Sequence, residues 1–174
     1  IPAEACNSPQ RELIGLCLRE EVPRGMDPGK TAEAIRSQGG VVYVPHPVDR
    51  IRKGRLRVEA MKEILELIDV IEIYNSRITF MGDVRKASDF AQEHGKLRGA
   101  GSDAHVWWEL GHSYVEMPEF QGRAGFLESL GQGTVGGRLT HPPAHGASTL
   151  IQWRGESLKR WSPGLPLQSP SPAI

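Results

Sequence analysis

Gly39-Gly-Val-Val-Tyr-Val-Pro-His-Pro47 decides the architecture. Two glycines stop a preceding helix, the β-branched run Val41–Val44 makes a strand, and Pro45 and Pro47 stiffen the backbone around His46. Upstream, Asp27-Pro28 sets a helix start, with Asp as N-cap and Pro at the first helical position, and the helix runs to Gln38. Before it, Leu13-Ile-Gly-Leu-Cys-Leu18 reads as a buried strand. Downstream, Met61, Ile64, Leu65 and Ile68 recur at helical spacing and predict a helix over 56–67, followed by a third strand, Asp69–Tyr74. A helix over Asp83–His94 closes at Gly95. Arg98-Gly-Ala-Gly101 is a short fourth strand whose glycines let something approach the backbone. Tyr114–Met117 and Arg123–Leu130 add a strand and a helix.

Strand–helix–strand repetition of this kind predicts parallel strands joined by crossover helices, in a barrel or a doubly wound sheet. Loops at the carboxyl ends of the strands carry the chemistry in both. About five βα units fit, fewer than the eight of a closed TIM barrel, so a barrel needs missing strands or an open edge.

The 174 residues hold 21 Lys+Arg and 21 Asp+Glu, so net charge supplies no long-range attraction to a polyanion. Apolar residues at 39% still support a core, while 20 Gly and 13 Pro predict many turns or a disordered part. That part is the stretch 156–174, where Pro163, Pro166, Pro170 and Pro172 stand among serines. Cys6 and Cys17 are too few for a disulfide framework, so a reducing, cytoplasmic location is expected. The apolar runs are too short to span a bilayer, and no signal peptide is legible. Because the chain opens on Ile1, an upstream part is expected to be missing.

Three polar groups follow strands. His46 is the first, although for a lone His-Pro the capped strand end with a solvated imidazole is the favoured plain reading. The second is Gly101-Ser-Asp-Ala-His105. Asp103 and His105, two apart in an extended segment, share a face and make a carboxylate–imidazole set suited to Zn²⁺, Mn²⁺ or Fe²⁺; an Asp-capped turn is the plain alternative. A Ser102–His105–Asp103 nucleophile triad fails, because near-consecutive residues cannot reach the required geometry. Asn75-Ser-Arg77 is the third, able to hydrogen-bond a substrate but also an ordinary turn. Arg50, Arg52, Lys53, Arg55 and Arg57 form a cationic run beside the His46 loop, either a solvated face or an attractor of phosphorylated substrates. Gly131–Gly137 lacks a phosphate-loop ending and reads as a flexible connection, and Pro142 and Pro143 keep His141 and His145 off one helix face.

In this order, the runs Glu12–Leu18, Val22–Gly25, Gly39–Pro47, Ile71–Ser76 and Gly101–His105 with Glu109-Leu-Gly111 resemble the later part of a PHP domain, the polymerase and histidinol phosphatase family, over roughly 1–150. The resemblance implies a partial, distorted (β/α)7 barrel over 1–155 and a PHP-like α/β fold class. It also implies divalent ions at the strand ends and phosphoester hydrolysis by metal-activated water. His46, Asp103 and His105 match the family's later metal ligands, with one histidine able to protonate the leaving oxygen, while Arg50, Asn75 and Arg77 are expected to meet the substrate. The early His-x-His motif has no counterpart here, so an amino-terminally truncated member is expected. Glu4 stands near a family glutamate ligand unless Ala5 has replaced it, and Glu12 stands where many members carry a further histidine. The resemblance therefore implies a phosphoesterase acting on a nucleotide, an oligonucleotide or a sugar phosphate. The alternative is a degenerate PHP module that binds metal or nucleic acid, or that serves a structural role. No membrane partner is expected, and the oligomeric state is left open.

Overall fold

The computed structural model describes residues 3–8, 11–51 and 55–140. The expectations for Arg52, Lys53, His141, His145 and the 156–174 tail lie outside the described residues. Five strands form one sheet in the order β1 (Ala3–Ser8), β2 (Arg11–Leu16), β3 (Val41–Val44), β4 (Val70–Asn75) and β5 (Leu97–Gly101). β1, β2 and β3 pair antiparallel, whereas β3, β4 and β5 pair parallel. A second, two-stranded sheet joins β6 (Ser113–Glu116) to β7 (Thr134–Gly137).

The sheet is thus mixed and open, and the closed barrel expected from the repetition is not formed among the described residues. The reason is local. β1 and β2 meet as antiparallel neighbours in unbroken register from Ala3–Leu16 to Ser8–Arg11, and β2 pairs antiparallel with β3 although α1 (Pro28–Ser37) lies between them in the chain, so neither pair is a parallel βαβ unit. Parallel crossovers link β3 to β4 through α2 (Val58–Glu63) and β4 to β5 through α3 (Met81–Glu93), and α4 (Gly122–Gly131) lies between β6 and β7. α1 starts as the sequence predicts: Asp27 Oδ1 accepts from the Lys30 N–H at 3.0 Å, and Pro28 opens the helix. The helix expected over 56–67 is shorter, with a 3₁₀ turn at Leu65–Leu67 taking its last part. Gly131–Gly137, expected as a flexible connection, is largely β7.

Each face of the main sheet has its own core. Leu13, Val42, Val44 and Ile71 pack under Ile35 of α1, Met61 of α2 and Phe90 of α3. On the other face Val41, Tyr43 and Val70 pack with Phe126 and Leu130 of α4. A cavity of about 350 Å³ remains on that second face, with Tyr43 and Glu72 in its wall and Val115 and Met117 opposite. At the amino end of β4, Asp69 accepts from the Val42 N–H and from the Arg36 guanidinium, each at 2.9 Å, and so ties β3 and α1 together. The close approach predicted at Arg98–Gly101 is internal: a Cβ at Gly99 lands 2.5 Å from the Tyr43 ring, and one at Gly101 lands 2.5 Å from Glu72 Oε2. Glycine there makes room for two buried side chains rather than for a ligand.

Gly99→Ala should therefore destabilise the fold by about 1–3 kcal/mol, read as a lower urea midpoint at unchanged slope. An unchanged midpoint would show that Tyr43 does not need that space.

Candidate functional site

Parallel pairing of β3, β4 and β5 sets their carboxyl ends side by side, and the loops leaving them carry His46, Asn75 with Arg77, and Asp103 with His105. Since β2 runs antiparallel to β3, it is the start of β2 that reaches this edge, and it brings Glu12. Among the described residues, the non-glycine backbones with positive φ are Cys17 (60°), His46 (30°) and Asp103 (49°). A left-handed backbone costs an ordinary residue about 1–3 kcal/mol and persists only where its surroundings impose it. His46 and Asp103, singled out in the sequence on other grounds, are two of the three.

His46 is buried, and its Nε2 lies 3.5 Å from Glu12 Oε2. Its Nδ1 is closed to solvent and makes no hydrogen bond. Behind it sits Glu72, which the sequence reading passed over. Glu72 accepts from the Tyr43 hydroxyl at 3.1 Å, from the Asn75 side-chain amide at 2.6 Å and from the His46 backbone N–H. Burial pushes the Glu72 carboxyl above the ordinary range, outweighing the pull of these donors and of His46. Its signal was a lone acidic residue in the apolar run Val70-Ile-Glu-Ile-Tyr74, a pattern that requires buried partners.

The second cluster lies at the end of β5. His105 Nδ1 is 2.7 Å from the Asp103 carbonyl oxygen and 3.7 Å from its Oδ1, and it also meets the Arg77 guanidinium. As a donor Nδ1 serves the carbonyl and as an acceptor it serves Arg77; in both tautomers the ring is held. Glu109 is completely buried, accepts from the His105 backbone N–H at 2.7 Å and lies 3.5 Å from Arg77. Glu109 is a further residue the chemistry-led reading did not assign, although it stands in the quoted Glu109-Leu-Gly111 run. Asn75 bridges the clusters, donating to Glu72 and accepting from the Arg77 backbone N–H at 2.9 Å.

Three expected substrate contacts turn out to be occupied within the fold. Both ends of the Asn75 amide are used internally, and Arg77 is buried against Glu109 and His105. Arg50 forms two-pronged hydrogen bonds to the buried Asp83 of α3 and lies over the Phe80 ring at 4.7 Å. Glu4 is not brought to the edge at all. It pairs with Gly15, three residues along β2 from Glu12, and its carboxylate accepts from the Val22 N–H at 3.1 Å.

A catalytic divalent site uses about three protein donors. Imidazole and carboxylate are the right donor types for Zn²⁺, Mn²⁺ or Fe²⁺, and the bare, buried Nδ1 of His46 is a nitrogen without an internal task. Yet the donors gather here in pairs, Glu12 with His46 and Asp103 with His105. No group of three or more His, Cys, Asp or Glu residues is set to hold an ion among the described residues. The described residues alone therefore do not complete a metal centre.

Comparison with known proteins bears on this arrangement of ligand-type residues at strand ends. The PHP-associated family model matches residues 83–135. The chain is 34% identical over 122 residues to the uncharacterized protein MJ0417 of Methanocaldococcus jannaschii, covering 68% of this chain and 52% of that protein. A second uncharacterized protein of that organism, MJ1587, is 38% identical over 66 residues, 37% of this chain and 36% of its own length. The chain thus spans about half the length, or less, of the curated relatives it matches. The fold is shared with PsfC from Pseudomonas syringae, at a TM-score of 0.57 and 12% identity over 88% of this chain and 65% of that one. It is shared also with a two-domain Bacteroides vulgatus protein containing a predicted PHP-like metal-dependent phosphoesterase, at a TM-score of 0.54 and 15% identity over 73% of this chain and 40% of that one. Over residues 83–135 the chain is thus similar to the PHP-associated family. No described helix is long and apolar enough to cross a membrane.

The Arg50–Asp83 pair makes a prediction about pH. Hydrogen bonds from Arg50 hold the Asp83 carboxyl below the ordinary value of about 3.9. A carboxyl depressed by folding contributes its full stability above the unfolded pKa and loses it as pH falls through the folded one. Wild-type protein should accordingly lose stability below about pH 4 more steeply than Asp83→Asn, by thermal melting across an acid series. Parallel curves would remove Asp83 from the account.

Proposed function

We propose that this chain is part of a metal-dependent phosphoesterase of the PHP type, cleaving a phosphomonoester or phosphodiester of a nucleotide, an oligonucleotide or a sugar phosphate. The observation that carries this reading is the strained backbone at His46 and Asp103, which follow the carboxyl ends of β3 and β5, the two strands that flank β4 in the parallel part of the sheet. Strain kept at a strand end is a mark of a working site, because folding alone gains nothing from it. In this reading His46, Asp103 and His105 lend donors to a zinc, manganese or iron ion, Glu12 adds a carboxylate beside His46, and donors beyond the described residues complete the set. Such an ion, when bound, supplies a nucleophilic water at neutral pH. The chain's own residues do the holding. Glu72 grips the His46 backbone, Glu109 grips the His105 backbone, and Arg77, neutralised by Glu109, steadies the His105 ring.

A second reading, a non-catalytic PHP module, is favoured by the pairing of the donors. The two separate on one experiment: hydrolysis of a generic phosphodiester with added Mn²⁺ or Zn²⁺, beside metal analysis of the purified protein. The phosphoesterase reading expects turnover that falls about tenfold or more in Asp103→Ala. Equal background rates in both proteins, with metal bound, would leave the module.

A further inference from the structure

The hydrophobic residues left in water are not scattered. Of the large apolar side chains exposed among the described residues, Ile51, Phe80, Trp107, Trp108 and Leu110 lie in the connections that leave the carboxyl ends of β3, β4 and β5, Met81 opens α3 just after one of them, and only Tyr114 and Leu139 lie elsewhere. Trp107 and Trp108 are the largest of them, 78% and 45% exposed, two and three residues beyond His105. Their rings meet edge to face, with centroids 5.5 Å apart at 83°, so ring face stays open to a third aromatic group. Exposing two indoles in water stabilises no fold, and a position beside the candidate site suits a ligand with flat π-faces.

The same edge carries the charge such a ligand needs. Between the His46 loop and the starts of α2 and α3 lies a cleft of about 320 Å³ lined by Arg50, Arg55, Arg57 and Lys86 against only Glu59 and Asp83. Arg50 is spent on Asp83, and Arg55 is steadied by a hydrogen bond to the Asp49 carbonyl at 2.9 Å. In a chain whose formal charge is zero, this cleft is a local concentration of cations. A cationic groove beside aromatic platforms is how proteins hold single-stranded nucleic acid. A run of bases offers several flat π-faces in a row, which two adjacent indoles suit better than they suit the single ring of a sugar phosphate, and an apolar protein partner has no use for the cations.

We propose that Trp107 and Trp108 form a stacking platform for the bases of a single-stranded oligonucleotide whose phosphates lie along the Arg55–Arg57–Lys86 cleft. This rests on the phosphoesterase reading only in making that oligonucleotide the substrate; the binding itself is independent of it. Zero net charge then means that stacking carries much of the affinity. With about three phosphate-facing cations, the logarithm of affinity should fall against the logarithm of salt with a slope of about −2.

The test is fluorescence anisotropy of a short labelled oligothymidylate with the full chain in EDTA, where no turnover is needed. Wild-type protein should bind, and Trp107→Ala/Trp108→Ala should bind about tenfold more weakly or worse. An abasic strand of the same length should bind wild type about tenfold more weakly than oligothymidylate, and a cooperative thermal melt of the double variant like that of wild type separates lost stacking from unfolding. Equal affinity of wild type and double variant for oligothymidylate, tight binding of the abasic strand, or no binding by wild type would each overturn the platform. If the platform stands and hydrolysis is absent, only the enzymatic reading fails; if hydrolysis is present and the tryptophans are indifferent, only the platform fails.

Discussion

Glu72 carries a carboxylate into a place closed to water, and three donors from different parts of the chain meet it there. A buried carboxylate without partners is costly enough to unfold a domain of this size. Tyr43 reaches it from β3, Asn75 from the end of its own strand, and His46 through the backbone of the loop after β3. The network thereby fixes the ends of two parallel strands relative to each other, and Gly101 in β5 leaves the room the carboxylate needs.

The second cluster repeats the arrangement with different residues. Glu109 is fully buried and holds His105 through its backbone N–H, as Glu72 holds His46, while Arg77 adds a compensating charge. In both clusters a buried glutamate anchors the main chain of a histidine and leaves the imidazole for other tasks. Asn75 joins them through its two-ended amide. The edge of the sheet is in this sense one polar network in which two histidines are presented by two hidden carboxylates.

Much of this was legible in the sequence, and the rest was hidden for physical reasons. Val41–Val44, the Asp27 cap and the β4 and β5 strands rest on local pattern, and local pattern decides them. The antiparallel pairing of β2 with β3 across α1 is a long-range choice that apolar runs do not encode, and β1 was not read as a strand at all, so parallel crossovers were expected throughout. His46, Asp103 and His105 were visible because polar residues after strands are conspicuous. Glu72 and Glu109 were harder, since one charge in an apolar segment shows that a partner exists without naming it. Arg50 and Asn75 were expected to face a substrate because sequence shows a residue's chemistry and not whether a neighbour has already used it.

The central claim is that His46 and His105, presented from the ends of the two strands on either side of β4, serve the same bound ion. Titration of Mn²⁺ into isotopically labelled protein, followed by NMR of the histidine ring signals, tests it most directly, and weak binding is sufficient for the readout. The account predicts that the ring signals of both histidines broaden together at substoichiometric Mn²⁺, ahead of His94 and His112. Broadening confined to exposed carboxylates, or reaching one of the two histidines and sparing the other, would contradict it.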